Sequence, residues 1–570
     1  MNTNWTELVD RSCPLPEYPR PQMARRCWLN LNGPWDYAIN RSSRHPTAFD
    51  GQILVPFSPE SELSGVKRSL QRGEFLWYRR TVVLPEDFRG KRVLLHFGAV
   101  DQTACVWVNS QQVITHTGGY LAFEADVTEA LDGAMEMTVT VRVTDDTDKS
   151  YHSRGKQKSK RGGIWYTPQS GIWQTVWAEA VPACYIKSLR ITPQFDRSTV
   201  EVTAEVEGDE LAYAEFNGLR YPIPAEIPVP DFEPWSPEYP KLYGLVLRCG
   251  EDEVQSYFAM RKFSVEKDEQ GIMRLFLNGR PYFHNGLLDQ GYWPDGLYTA
   301  PTDEALSYDI RVAKSMGYTM LRKHIKIEPL RWYYHCDRLG MLVWQDMPNG
   351  GGSYNSAVIS APLVTGLHMK DSAYGLFARG DTAGRKQYHK ELGDMVRQLY
   401  NCPCIAMWVP FNEGWGQFDA AAAVKLIEAL DKTRTIDHAS GWHDQQIGNL
   451  RSEHVYFRPY RFKADKLGRA VILSEFGGYA HAVRSHEFGS KSFGYKKFET
   501  LAQLEVALEE LYQEEIAPTL SRGLAAAVYT QVSDVEDEVN GLMTYDRKVI
   551  KVSPEAMRRI MRGLRYPEQT

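Results

Sequence analysis

The first third of the chain is a succession of short β-branched and aromatic runs broken by turn residues. Residues 76–83, 92–97 and 104–109 read as strands, with hairpin punctuation at Asn109-Ser110 and Gly118-Gly119. This spacing predicts a jelly-roll-like two-sheet sandwich over residues 1–184. The alternation assigns Trp107 and Trp173 to sandwich core rather than to a ligand platform. Residues 200–206 alternate cleanly at period two, a proline-rich connection spans 222–240, and 242–258 reads as a hairpin. Together they predict an immunoglobulin-like sandwich over 185–262.

Beyond Lys262 the pattern changes. Apolar runs of strand length alternate with segments of helical period, the signature of βα units. Helices are expected over 305–316, opened by Thr302-Asp-Glu, over 329–339, 385–400 and 498–515, and after Asp419 as an N-cap. Strands are expected over 318–322, 341–344, 405–409, 470–474 and 524–531. Residues 263–570 thus accommodate a (β/α)₈ barrel. A doubly wound sheet is the rival fold, but no G-x-G-x-x-G turn follows a strand.

The 570 residues require several domains. A net charge of −6 gives no reason to expect nucleic acid or an anionic membrane as partner. The first residues carry no basic region and no apolar core of a signal peptide, and no run is apolar enough to span a bilayer. The 8 cysteines lack disulfide or zinc spacing. Cys402-Pro-Cys404 is too tight for an unstrained bridge. Free thiols in a reducing cytoplasm are expected.

Two apolar runs carry the candidate chemistry. One ends in Asn412-Glu413-Gly414, the other in Ser474-Glu475-Phe476. A carboxylate at the C-terminal mouth of a buried parallel strand lies where barrel enzymes keep their reactive groups. Two of them are the minimum for cutting a glycosidic bond. Taken singly, either glutamate also fits a helix cap or an ion pair.

The whole chain resembles glycoside hydrolase family 2, which contains exo-β-galactosidases, β-glucuronidases and β-mannosidases. Trp28-Leu-Asn-Leu-Asn-Gly-Pro-Trp35, Trp77-Tyr-Arg-Arg80, His116-Thr-Gly-Gly-Tyr120 and Ser170-Gly-Ile-Trp-Gln-Thr-Val-Trp177 resemble its sugar-binding domain. Pro234-Trp-Ser-Pro-Glu-Tyr-Pro240 and Tyr257-Phe-Ala-Met-Arg-Lys262 resemble its middle domain. Asn278-Gly-Arg-Pro281, Leu321-Arg-Lys-His-Ile-Lys326, Phe411-Asn-Glu-Gly414 and Ser474-Glu-Phe-Gly477 resemble its barrel.

The resemblance implies a retaining mechanism, with Glu413 as general acid/base and Glu475 as nucleophile. Trp408 and Trp415 are expected to form an apolar wall that raises the pKa of the acid. Asn412 would bond the sugar 2-hydroxyl. His324 matches a substrate-contacting histidine of the family, with a buried structural histidine as the alternative. In His454-Val-Tyr456 the tyrosine can reach the nucleophile, although Tyr460 competes for that register. Asp289, Trp293 and Asp295, after the first barrel strand, are candidates to bound the −1 subsite. Asp346, Trp442 and Gln531 fall at later strand ends.

The Asn-x-Lys of the family's β-glucuronidases has no counterpart here. This favours a neutral sugar such as galactose, with Arg280, Lys323, Lys326 or Arg458 as the cations that a uronidase would need instead. A catalytically silent carbohydrate-binding protein is the rival of another class. The expected partner is a small oligosaccharide or glycoside. No cofactor is expected, since no metal-ligand cluster is visible, although some relatives use Mg²⁺ or Na⁺. Homo-oligomerisation stays open.

Overall fold

The computed structural model describes residues 1–566; the last four of the expected barrel segment lie outside them. The N-terminal sandwich pairs a six-stranded sheet with a four-stranded one. The larger contains Gly33–Asn40, Phe75–Val83, Glu136–Thr144 and Thr103–Val108; the smaller contains Val176–Val181 and Arg92–Phe97. Val139, Val141, Leu95 and Ala178 meet between them, because alternate residues of each strand face the other sheet. Trp173 is fully buried, its indole N–H donating to the Gly119 carbonyl. Trp107 is only half-buried and stacks on Trp77 outside that core.

A second sandwich follows, of three strands (Tyr185–Gln194, Thr199–Glu207, Ala225–Pro228) against four. Its core brings the Sγ atoms of Cys184 and Cys249 to 3.1 Å, a pairing that sequence spacing does not show. All eight cysteines are free thiols.

The barrel strands are β1 (His284–Asp289), β2 (Met320–Lys323), β3 (Leu342–Asp346), β4 (Ile405–Val409), β5 (Thr435–Ile436), β6 (Leu450–Val455), β7 (Ala470–Gly477) and β8 (Leu524–Thr530). They form one parallel eight-stranded sheet, in the order β5-β4-β3-β2-β1-β8-β7-β6. The ladder is continuous except between β5 and β6. Strands such as β4 and β8 are buried at every position, which is why their sequence shows no polar alternation. Among the described residues no helix lies between β5 and β6 or between β6 and β7, so this side of the barrel is covered by loops. No helix among the described residues is long and apolar enough to cross a membrane.

Local signals account for most helix starts. The Thr302 hydroxyl accepts from the Ala305 N–H and opens the helix Asp303–Ser315. Asp419 does not cap the helix Ala420–Leu430. Its backbone is left-handed and its carboxylate accepts from Tyr374, so Asp371 receives the Ala420 N–H instead. The expected helix over 498–515 runs as Leu501–Glu510, widens into a π turn over Leu511–Ile516 and continues to Leu520.

Candidate active site

The C-terminal ends of β2, β3, β4, β6 and β7 converge on one buried cation, Arg322. Its guanidinium donates to the Ser474 carbonyl at 3.2 Å and to three side chains. Nε and Nη2 each donate to Asp346 at 3.0 Å, Nη2 also donates to Asn412 Oδ1 at 2.8 Å, and Nη1 donates to Glu475 Oε1 at 3.1 Å. Burial alone would lower its pKa, but Asp346 and Glu475 hold it above the ordinary arginine value. A buried guanidinium needs such partners, and here they orient the two groups next to the reaction centre.

Glu475 sits inside β7 with its side chain 6% exposed. Its second oxygen accepts from the Tyr456 hydroxyl, which is also 2.8 Å from Thr530 Oγ1. The Tyr456 ring stacks on Tyr495 at 3.9 Å, fixing the hydroxyl. Tyr456, not Tyr460, is therefore the partner of the carboxylate. Tyr460 is buried in the neighbouring loop.

Glu413 follows β4 in a left-handed backbone conformation (φ +52°), a strained state for a residue with a Cβ. Pairing overcomes it: Asn412 bridges to Ser440, and the Glu413 N–H donates to the Ser440 carbonyl at 2.8 Å. Gly414 has φ +78°, and a Cβ there would meet His443 at 2.6 Å, so glycine lets the chain turn away beneath the carboxylate. Glu413 Oε1 lies 2.7 Å from His454 Nδ1, and Oε2 accepts from the Trp415 indole at 3.0 Å.

These contacts correct the apolar-wall expectation. Burial does press the Glu413 pKa upward, but the His454 and Trp415 bonds, together with Lys156 nearby, bring it below the ordinary glutamate value. Trp415 presents its polar edge. Trp408 donates to Asp431 and is packed elsewhere.

Oxygens of Glu413 and Glu475 lie within 4.8 Å of each other, with His454 Nδ1 in the same group. That nitrogen is 3.5 Å from Glu475 Oε2. The trio is of a size to hold a cation, and its three strands of origin hide it from sequence spacing. A bound ion would have to displace the hydrogen bond between His454 and Glu413.

The other candidates divide. Asp346 and His324 belong to the site: the His324 imidazole is 3.0 Å from Asp346, and burial, with Lys156 adding to it, holds its pKa well below the usual histidine value. Trp442 is half-buried at the edge, its ring 6.3 Å from that of His454. Gln531 follows β8, its amide donating to Asn540 Oδ1 at 2.7 Å while its Oε1 is buried without a partner.

The β1 loop serves other ends. Asp289 is paired with Lys323 at 2.7 Å. Trp293 packs edge-on against Trp5, beneath the Arg547 guanidinium. Asp295 accepts from the hydroxyls of Thr3 and Thr6 at 2.6 and 2.7 Å and clasps the N-terminal segment. Subsite boundaries are not what their contacts make.

Arg322 was accessible as a motif residue but not as the hub; a charged residue inside a fully buried strand was its signal. Lys156 and Trp165 had none, because they come from the N-terminal sandwich. Their loop is clamped to the barrel mouth by the Ser153–Gly350 bridge and by the Arg154 N–H on the Asn349 carbonyl. Trp165 packs edge-on against Trp415 at 5.3 Å.

A close carboxylate pair at the C-terminal face of a (β/α)₈ barrel, carried behind two β-sandwiches, defines a glycosidase architecture. The family model for the sugar-binding domain of family 2 glycosyl hydrolases matches residues 70–182, and that for its TIM barrel domain matches 274–521. The chain belongs to glycoside hydrolase family 2.

Among curated proteins it is similar to a β-galactosidase of Thermoanaerobacter pseudethanolicus, 23% identical over 63% of this chain. It is also similar to the β-glucuronidase of Rattus norvegicus, 23% identical over 73% of this chain and 69% of that one. It spans only 47% of the length of the β-galactosidase. A solved β-glucuronidase from an uncultured Clostridium sp. shares the fold, with a TM-score of 0.74 at 18% identity over 95% of this chain and 99% of that one.

Proposed function

We propose that the protein is a retaining exo-β-glycosidase that releases terminal non-reducing β-linked sugars by double displacement. The carrying observation is the approach of the Glu413 and Glu475 oxygens to within 4.8 Å. Retaining enzymes hold their carboxyl groups about 5–5.5 Å apart, whereas inverting ones leave about 6.5–9.5 Å for a water.

In this reading Glu475 attacks the anomeric carbon while Glu413 delivers a proton to the leaving oxygen. Water, deprotonated by Glu413, then releases the sugar from the ester. Arg322 and Tyr456 hold Glu475 by hydrogen bonds and aim it. Because His454 and Trp415 favour the ionised form of Glu413, the empty site is set up for the base step. Protonation of Glu413 for the acid step needs acidic solution, or a substrate that takes up the His454 bond. The dependence of kcat/KM on pH should therefore peak on the acid side of neutrality.

For the sugar, a neutral β-galactoside is the first reading. Lys323 and Lys326 are both bound to Glu328, and Arg280 lies on an exposed hairpin, so none of the three is free for a uronate. A β-uronide is the second reading. It is favoured by Lys156, which among the described residues makes no ion pair yet stands close enough to act on both Glu413 and His324. A panel of nitrophenyl β-glycosides separates them. Turnover of the galactoside supports the first; turnover of glucuronide or galacturonide alone transfers the assignment to the second; no turnover of any sugar overturns the proposal.

A further inference from the structure

The open side of the barrel, where β5 and β6 do not pair, leads into a cleft of about 950 Å³. His454 and Trp442 line it; Glu413, Glu475, Arg322, Asp346 and His324 do not. The cleft therefore meets the reaction centre through His454, whose Nδ1 lies 2.7 Å from Glu413 Oε1 and 3.5 Å from Glu475 Oε2, nearer the former. In a glycosidase the acid/base marks the side on which the leaving group departs.

Six cations and three acids line this cleft. The three acids face two arginines: Asp444 and Asp465 share Arg469 at 2.6 and 3.0 Å, and Glu453 binds Arg451 at 2.7 Å, so the lining keeps an excess of positive charge. Arg458, Arg461, Lys463 and Lys466 are left over. All four are exposed and, among the described residues, make no ion pair within 4 Å; Arg458 and Lys463 are near enough to Glu453 to favour its charge. They stand on one loop between β6 and β7, where no helix covers them. A protein of net charge −6 thus concentrates an excess of positive charge in a recess that adjoins His454. Unpaired like charges in a concave wall repel one another and focus the field on whatever enters, an arrangement that favours an anion. Trp442 adds an aromatic face suited to a pyranose ring.

We infer that this cleft is a leaving-group subsite for an anionic saccharide, one whose sugar next to the scissile bond, or one step beyond it, carries a carboxylate or a sulfate. The inference rests on the retaining-glycosidase reading for its orientation, but the charge of the cleft can be tested apart from it.

The test uses β-glycosides that share the accepted glycone and differ in leaving group: glucose, a uronic acid, or a 6-sulfated sugar. The expected ratio of kcat/KM, anionic over neutral, is about tenfold or more, collapsing towards one in 0.5 M NaCl as screening shortens the reach of the loop charges. The double variant Arg461→Glu/Lys463→Glu should cut that ratio by about tenfold or more with an unchanged melting temperature, and Arg461→Gln/Lys463→Gln by less. A preference for the uronate alone, or for the sulfate alone, identifies the source of the charge. A ratio near one that neither salt nor charge reversal moves overturns the inference.

If no glycoside is turned over, the enzyme reading fails and calorimetry decides the cleft. Trigalacturonate should bind the native chain, maltotriose should not, and the Glu/Glu variant should lose the binding. Equal binding, or none, by native chain and variant overturns it.

Discussion

Two groups of polar residues stand at strand ends of the same barrel and look alike in sequence. Asp289 and Asp295, with Trp293, follow β1; Asn412 and Glu413 follow β4, opposite Glu475 in β7. The first group is consumed by neighbours that have nothing to do with a ligand: a lysine, an arginine over an indole, and two threonines of the N-terminal segment. The second group is held by partners that leave two carboxylates facing each other. Position at the mouth of a barrel makes a residue a candidate. What distinguishes an active-site group is that its bonds orient it without neutralising its chemistry.

Five substitutions break or sharpen that contrast. Glu475→Ala should lower kcat by about 10⁴-fold or more, because the covalent route is lost. Glu413→Gln should cost about 10²–10⁴-fold with a poor leaving group and much less with a nitrophenolate, which needs no proton; paired kinetics on the two substrates check it. His454→Phe removes the donor that keeps Glu413 ionised, so its pKa rises and the basic limb of the kcat/KM profile should move to higher pH. A limb that stays or moves down contradicts the assignment.

On the other side of the contrast, Asp295→Ala removes the carboxylate that accepts from the buried Thr3 hydroxyl and the half-buried Thr6 hydroxyl. It should cost about 1–3 kcal/mol in a denaturation curve without a comparable loss of kcat/KM. Asp431 supplies an effect of similar size that depends on pH. Burial works against its charge, but Arg434 at 3.0 Å overcomes this and sets its pKa at about 2, against 3.8 for the free group. A depressed carboxylate stabilises the fold above its unfolded pKa and loses that contribution as the pH falls through the folded value. Asp431→Asn should therefore remove about 2 kcal/mol at neutral pH and flatten the acid side of the stability curve.

The architecture was legible because its periods differ: alternation of two in the sandwiches, buried apolar runs followed by helical spacing in the barrel. The two glutamates were legible as candidates because each ends, or sits at the end of, such a run. Three things were not. The missing helices around β6 leave no positive mark in sequence, yet they create the basic cleft. The sign of the Glu413 pKa shift depends on which edge of Trp415 faces it and on a histidine 41 positions away. Lys156 and Trp165 reach the site from another domain, where they read as ordinary loop residues. Tertiary contacts of this kind carry no local period.

The central claim is that Glu475 forms a covalent bond with the sugar. Incubation with a 2-deoxy-2-fluoro-β-glycoside bearing a dinitrophenyl leaving group, followed by proteolysis and mass spectrometry, tests it directly. The expected result is one glycosyl label, on the peptide containing Ser474-Glu475-Phe476. A label on Glu413, or unlabelled protein from an enzyme that turns over the parent glycoside, would contradict it.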